Sequence, residues 1–197
     1  METNFLEIIR TRRSYRAYKP EQITDKQLNA VLEAGTYAPT SRGLQSPFIV
    51  AVQNEDLKLR LAKMNAEIMG VTTNPYYDAP TYVLVFVPAD APNGIQDASL
   101  VLENMMLAAH AQGLGSCWIH REREMFATEE GKELMKQCGL PVIFFSFIIK
   151  DLRFREKQKQ PVPRNDFLRR AVRKTTRGTT QIAPAYYRYH SLDANTP

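Results

Sequence analysis

The stretch that decides the fold is Asp97-Ala98-Ser99-Leu100-Val101-Leu102-Glu103-Asn104-Met105-Met106-Leu107-Ala108-Ala109-His110-Ala111-Gln112-Gly113-Leu114-Gly115-Ser116-Cys117-Trp118-Ile119-His120. Asp97 is placed to cap a long helix reaching Gln112, and Gly113 to end it. Leu100, Val101, Met105, Met106, Leu107 and Ala108 make that helix apolar around most of its circumference. Such a helix has to be covered on nearly all sides, by a core or by a second subunit. Residues 116–119 then read as a short strand. Gly113-Leu114-Gly115 is a Gly-x-Gly, but it follows a helix and enters a strand, the reverse of a dinucleotide-binding fingerprint. Gly113 is mainly a helix stop, whereas Gly115 lets the backbone come close to something flat. Trp118 reads as a core residue.

Outward from this stretch, helices and strands interleave. Residues 4–11 predict a short helix burying Phe5, Leu6, Ile8 and Ile9. Thr24 opens a second helix with a capping box to Gln27, and Leu28, Val31 and Leu32 form its core-facing stripe. Residues 38–43 form a loop, because Pro39, Ser41 and Gly43 disfavour helix. Residues 48–52 and 82–87 are near-continuous apolar strands, separated by a helix over 56–69. A helix over 128–137 and a strand over 142–149 follow. The class is α/β or α+β around one sheet.

The chain has 197 residues and 44% hydrophobic composition, enough for one domain with a real core. The net charge of +5 is uneven. Residues 150–177 hold eleven Lys and Arg against three Asp and Glu, so the remainder carries fifteen basic and eighteen acidic residues. The high pI therefore belongs to one C-terminal segment and says little about the partners of the main body. No apolar run is long enough to span a bilayer, and Met1-Glu2-Thr3-Asn4 lacks signal-peptide order, so a cytoplasmic protein is expected. Cys117 and Cys138 are too few for a disulfide framework or zinc knuckle and read as small buried residues. Among His110, His120 and His190 no metal-ligand spacing occurs, and no metal site is expected. Phosphate-loop, His-Glu-x-x-His and Gly-x-Ser-x-Gly motifs are absent.

Two segments can carry binding chemistry. Arg12-Arg13-Ser14-Tyr15-Arg16 puts three guanidiniums and a hydroxyl within five residues, a set that can surround a phosphate with charge-assisted bonds. Taken alone, it reads rather as a solvated basic helix end complementing the helix dipole. Pro39, Thr40 and Ser41, followed by Gln45, can set hydroxyls and amides against a planar ligand, or can be a plain connection.

Taken in order, these pieces resemble the nitroreductase family of FMN-dependent oxidoreductases. The resemblance runs over about the first 141 residues. It adds Ala17-Tyr18, Leu32-Glu33-Ala34-Gly35, Asn65, Asp78-Ala79-Pro80, Leu102-Glu103-Asn104-Met105, and Gly139-Leu140-Pro141 to the segments above. It implies an α+β fold with a central, mainly antiparallel sheet flanked by helices, and an intertwined homodimer holding FMN (flavin mononucleotide) at its interface. By similarity, Arg12, Arg13, Ser14 and Arg16 would hold the FMN phosphate and ribityl chain. Pro39, Thr40 and Ser41 would line the ring from the partner subunit, with Gln45 and Asn65 nearby. Backbone groups around Ile119 and His120 would face the reactive side. NAD(P)H would deliver hydride to the flavin, and a nitroaromatic, quinone or enone would take it away, with no side chain acting as acid, base or nucleophile. The alternative is a flavin-binding protein with weak or lost turnover.

After Pro141 the resemblance fades. A Gly-Tyr turn is missing after the 142–149 strand, and Pro161-Val162-Pro163-Arg164 is followed by Asn165 where the family has Lys. Arg164 stays a candidate phosphate ligand. Residues 1–168 are read as the FMN-binding domain and 169–197 as an atypical basic extension. Three origins stand open for it: a divergent arm wrapping the dimer, a frameshift in the gene, or a surface for nucleic acid or another polyanion. Nucleic acid is not the expected partner.

Overall fold

In the computed structural model of the chain, residues 4–137 are described in full, and residues 144–151 and 189–191 by their backbone. The expectations for Cys138, Gly139-Leu140-Pro141, Arg164, the boundary at residue 168 and the basic cluster beyond it lie outside the described residues.

The described helices are α1 (Phe5–Thr11), α2 (Asp25–Thr36), α3 (Glu55–Met69), α4 (Gly94–Ala111), α5 (Glu122–Ala127) and α6 (Glu129–Gln137). The strands are β1 (Phe48–Val52), β2 (Thr81–Phe86), β3 (Leu114–Ile119), β4 (Phe144–Asp151) and β5 (Tyr189–Ser191). They form one sheet in the order β3-β4-β2-β1-β5. The β1–β2, β2–β4 and β3–β4 pairs are antiparallel, and β1–β5 is parallel. The mainly antiparallel α+β expectation is met.

Strand periodicity explains the three layers. Ile49, Val83 and Val85 pack with Val31 and Leu32 of α2 and with Val101 and Met105 of α4. Their neighbours Val50, Val52, Tyr82, Leu84 and Phe86 turn to the other face, against Leu61 of α3, Met125 and Phe126 of α5, and Leu134 of α6. Successive side chains alternate between faces, and both faces are covered. That is why β1 and β2 read as unbroken apolar runs rather than alternating ones. Every residue of β2 is buried.

Local signals hold well where a cap is involved. The Thr24 capping box is complete: Thr24 Oγ1 accepts from the Gln27 N–H at 3.3 Å, and Gln27 Oε1 accepts from the Thr24 N–H at 3.1 Å. Three expectations need correction. Helix α4 begins at Gly94 rather than Asp97, and the Asp97 carboxylate instead accepts the Ser41 N–H at 2.9 Å. Of the four apolar residues in α1 only Ile8 is buried; Phe5 and Leu6 are 61% and 54% exposed, because the helix lays only one edge on α4. Helix α5 and strand β5 were not anticipated. The first hides in a charged run, and the second is only Tyr-His-Ser.

Gly131 lets α6 pack directly on α5. A Cβ there would collide with the Met125 carbonyl oxygen and the Phe126 Cα, neither of which can swing aside. Gly131→Ala should therefore lower stability by about 1–3 kcal/mol, measured by urea unfolding. An unchanged midpoint would contradict this packing.

Candidate functional site

The arginine segment is tied to the sheet by its backbone. Helix α1 ends where the Arg12 N–H reaches the Ile8 carbonyl at 3.0 Å. The chain then runs parallel to the outer edge of β3: Ser14 bridges to Ser116, and the Tyr15 N–H donates to the Ser116 carbonyl at 3.0 Å. Since β3 stands at one end of the sheet order, this edge would otherwise be unpaired there.

The arginines then divide. Arg13 turns back: its Nη1 donates to the carbonyls of Arg10 at 2.9 Å and Arg12 at 2.6 Å, so the helix-end reading is right for Arg13. Arg12, Ser14 and Arg16 converge on the buried Cys117 thiol. Burial pushes that thiol up, and the Arg16 charge, a Ser14 hydrogen bond and the Arg12 charge pull it down. Burial wins, so the group is a neutral thiol and gives the cations no counter-charge. Arg12 Nη1 is buried and makes no hydrogen bond among the described residues. An unsatisfied buried donor costs about 1–3 kcal/mol, more when charged. An anion placed here would remove that penalty, and the donor set of two guanidiniums and a hydroxyl suits a phosphate.

The other end of β3 is held from α3. Ile119 is buried, and His120 is exposed with its ring stacked on Trp118, centroids 5.4 Å apart. Asn65 is fully buried. Its Nδ2 lies 3.1 Å from the His120 carbonyl, 3.2 Å from the Tyr76 hydroxyl and 3.3 Å from Glu122 Oε1. Its Oδ1 accepts Arg121 Nε at 2.8 Å, and the Tyr76 hydroxyl donates to Glu122 Oε1 at 2.9 Å. Asn65 thus shapes the turn after β3, with its amide already engaged by protein groups. Cys117 and His120 are separated by roughly 10 Å of strand.

Pro39, Thr40, Ser41 and Gln45 lie elsewhere. Thr40 Oγ1 accepts the Gln45 N–H at 2.9 Å, and Asn93 Nδ2 donates to Ser41 Oγ at 2.7 Å. Together with the Ser41–Asp97 bond, these fix the loop at the start of α4. The arginine segment is fixed near the opposite end, where Thr11 Oγ1 and His110 Nε2 are 2.8 Å apart. At 1.5 Å per residue, about 20 Å of helix separates Asp97 from His110. Within one chain the two sets of candidate residues therefore cannot meet on one phosphate.

With this geometry in place, the Nitroreductase family model matches residues 9–85 and 70–148. The chain belongs to the nitroreductase family. An Archaeoglobus fulgidus protein provisionally named an NADH dehydrogenase/NAD(P)H nitroreductase is 30% identical over 162 residues, covering 78% of this chain and 87% of that one. An NADPH-flavin oxidoreductase of Vibrio harveyi is 29% identical over 133 residues, 59% of this chain and 53% of that one. A Bacteroides fragilis nitroreductase solved with bound FMN is 31% identical, with a TM-score of 0.70, covering 83% of this chain and 97% of that one. A Desulfitobacterium hafniense nitroreductase shares the fold at a TM-score of 0.72 and 21% identity, over 89% of this chain and 100% of that one. Among the described residues no helix is long and apolar enough to cross a membrane.

Sequence reasoning missed Cys117, Tyr76, Arg121 and Glu122 as members of this site. Cys117 lies in a strand and reads as a small buried residue, and Arg121-Glu122-Arg123-Glu124 looks like a solvated charge run. Burial also marks the tyrosines. It pushes the Tyr76 and Tyr18 phenols well above their ordinary 10.0 and the Tyr82 phenol up to about 12. These raised values favour the native state below pH 10.0, where all phenols are protonated, and that contribution is lost as pH rises toward 12. The urea midpoint should hold up to pH 10 and fall above it, with the phenolate absorbance of the buried Tyr18, Tyr76 and Tyr82 appearing only as the chain unfolds. Phenolate absorbance of all nine tyrosines near pH 10 in the folded protein would contradict this burial.

Proposed function

We propose that this nitroreductase-family chain binds FMN with the phosphate at Arg12, Ser14 and Arg16, and works as an NAD(P)H oxidoreductase. The electron acceptors would be small oxidants such as nitroaromatics, quinones or enones. The observation that carries this reading is the buried Arg12 Nη1, without a hydrogen bond among the described residues, on a segment whose Arg12, Ser14 and Arg16 all act on one neutral buried thiol. Among the described residues no group pairs with that atom, and a phosphate such as that of the FMN bound by the Bacteroides fragilis relative has the right chemistry. When bound, FMN supplies the hydride-accepting and hydride-donating chemistry.

The chain's own residues bind, orient and exclude water. Arg12 and Arg16 neutralise the phosphate, and Arg13 secures the end of α1 from which they project. Ile119, buried, and the backbone of residues 119–121 give the ring a rigid apolar and hydrogen-bonding wall. The protein has no need of an acid, base or nucleophile beyond this.

The reading includes a homodimer. The loop with Pro39, Thr40, Ser41 and Gln45 stands about 20 Å of helix away from the arginines, so it would serve the site of a second copy. Helix α4 supports this: Ile95 and Leu100 remain 49% and 44% exposed, and Tyr37 and Leu44 near its start are 74% and 54% exposed. An apolar face of this kind is characteristic of an interface.

Purified protein should be yellow and oxidise NADH or NADPH in the presence of a nitroaromatic or quinone. Arg12→Ala and Arg16→Ala should each weaken FMN binding by about 1.5–3 kcal/mol, roughly tenfold to a hundredfold, while Arg13→Ala changes it by about threefold or less. Equal affinities in all three variants would contradict the assignment. Sedimentation equilibrium should give twice the 22.5 kDa chain mass. Leu100→Glu should shift it to monomer and release FMN; a monomeric wild type that still holds FMN would remove the dimer from the account.

A further inference from the structure

Asn65, Tyr76 and Glu122 are 0%, 0% and 2% exposed, yet no step of the proposed reaction uses their side chains. A buried carboxylate with its hydrogen-bonded partners is poor value for stability alone, since an apolar trio of the same volume does as well or better. Their geometry gives them another task.

The trio fixes which way one amide points. Asn65 Nδ2 faces three acceptors: the His120 carbonyl, the Tyr76 hydroxyl and Glu122 Oε1. Rotating the amide by half a turn would set Oδ1 against a carbonyl and a carboxylate, and Nδ2 against the Arg121 guanidinium. Glu122 therefore reinforces the orientation that the His120 carbonyl and Arg121 also favour, and Tyr76, donating to the same carboxylate oxygen, holds Glu122 in place. So oriented, the amide grips the 120–121 turn at two points, the His120 carbonyl and the Arg121 side chain.

That turn is strained. Arg121 has φ 87°, in the left-handed region that favours glycine. A non-glycine residue stays there only when its surroundings over-determine it. The peptide is trans, so drawing the His120 carbonyl inward toward α3 turns the Arg121 N–H the opposite way, outward from Asn65.

We propose that Glu122 and Tyr76 are positioning residues: they lock the Asn65 amide so that it holds the strained 120–121 peptide with its N–H presented to the bound ligand's ring. This rests on the flavin reading of the site and deepens it. A buried network on one side of the turn would then set hydride-transfer geometry on the other.

The test uses Glu122→Ala, which removes the lock, Glu122→Gln, which keeps an acceptor oxygen, and Tyr76→Phe, which keeps the ring and the fold. In flavin-free protein, amide hydrogen exchange over residues 119–123 should be about tenfold faster or more in Glu122→Ala and Tyr76→Phe. In the FMN-loaded protein, the rate of flavin reduction by NAD(P)H should fall about tenfold to a hundredfold. FMN affinity should stay within about threefold, because the phosphate contacts are untouched. Glu122→Gln, with an acceptor oxygen, should recover most of the loss, whereas the similarly sized apolar Glu122→Met should not; recovery in both would mean packing alone and overturn the proposal. If Glu122→Ala does not fold, Tyr76→Phe decides. Folded variants with wild-type exchange and wild-type reduction rates overturn the proposal, as does loss of FMN affinity in step with rate. A wild-type protein that takes up no FMN overturns the underlying reading instead, and that shows before any variant is made.

Discussion

One backbone hydrogen bond, from the Tyr15 N–H to the Ser116 carbonyl at 3.0 Å, determines what the N-terminal arginines can do. It seats an otherwise ordinary extended segment on the outer edge of β3. Without it, residues 12–16 would be a basic helix end in water, with little reason to gather. With it, Arg12, Ser14 and Arg16 are held over one buried side chain, Cys117. The edge is dependable because β3 is fixed on its inner side by β4, and the sheet is packed on both faces by helices. The covalent order of the chain thus matters less than the ladder that pairs its two distant parts.

The same strand carries two polar devices of opposite character. At the arginine end, charge is left unsatisfied: among the described residues the buried Arg12 Nη1 lacks a partner, and the Cys117 thiol is kept neutral by burial. At the Asn65 end, the buried polar atoms of Asn65, Tyr76 and Glu122 meet one another and the backbone. The unsatisfied end fits a ligand anchor, whereas the satisfied end fits a rigid frame. Binding energy gathered at the first is useful for chemistry only if the second holds still.

Much of the fold was legible because its signals are local. Thr24 and Gln27 announce a capping box, and the apolar runs at β1 and β2 announce strands covered on both faces. What failed was also physical. Asp97 looked like a helix cap, but its carboxylate serves the Ser41 N–H from a loop 56 residues away, which no local pattern records. Phe5 and Leu6 read as the buried side of a short helix, but that helix lays a single edge on α4 and leaves them exposed. For the site, the ordered motifs drew attention to the segments around residues 12–16, 39–45 and 113–120. They could not separate Arg13, whose guanidinium turns back to the carbonyls of its own helix end, from Arg12, whose Nη1 is buried without a hydrogen bond among the described residues. Nor could they show that Glu122, in a run of four charges, is buried. Those distinctions depend on side-chain direction and on contacts made across the fold.

The claim that the arginine segment reads a phosphate is tested most directly by comparing FMN with riboflavin, which carries the same ring and ribityl chain without the phosphate. Equilibrium titration of the flavin-free protein should show riboflavin binding about tenfold to a hundredfold more weakly than FMN. The gap should narrow about tenfold or more in Arg12→Ala, with Arg16 and Ser14 still on the phosphate. Riboflavin binding as tightly as FMN, or a gap unchanged in Arg12→Ala, would contradict the account.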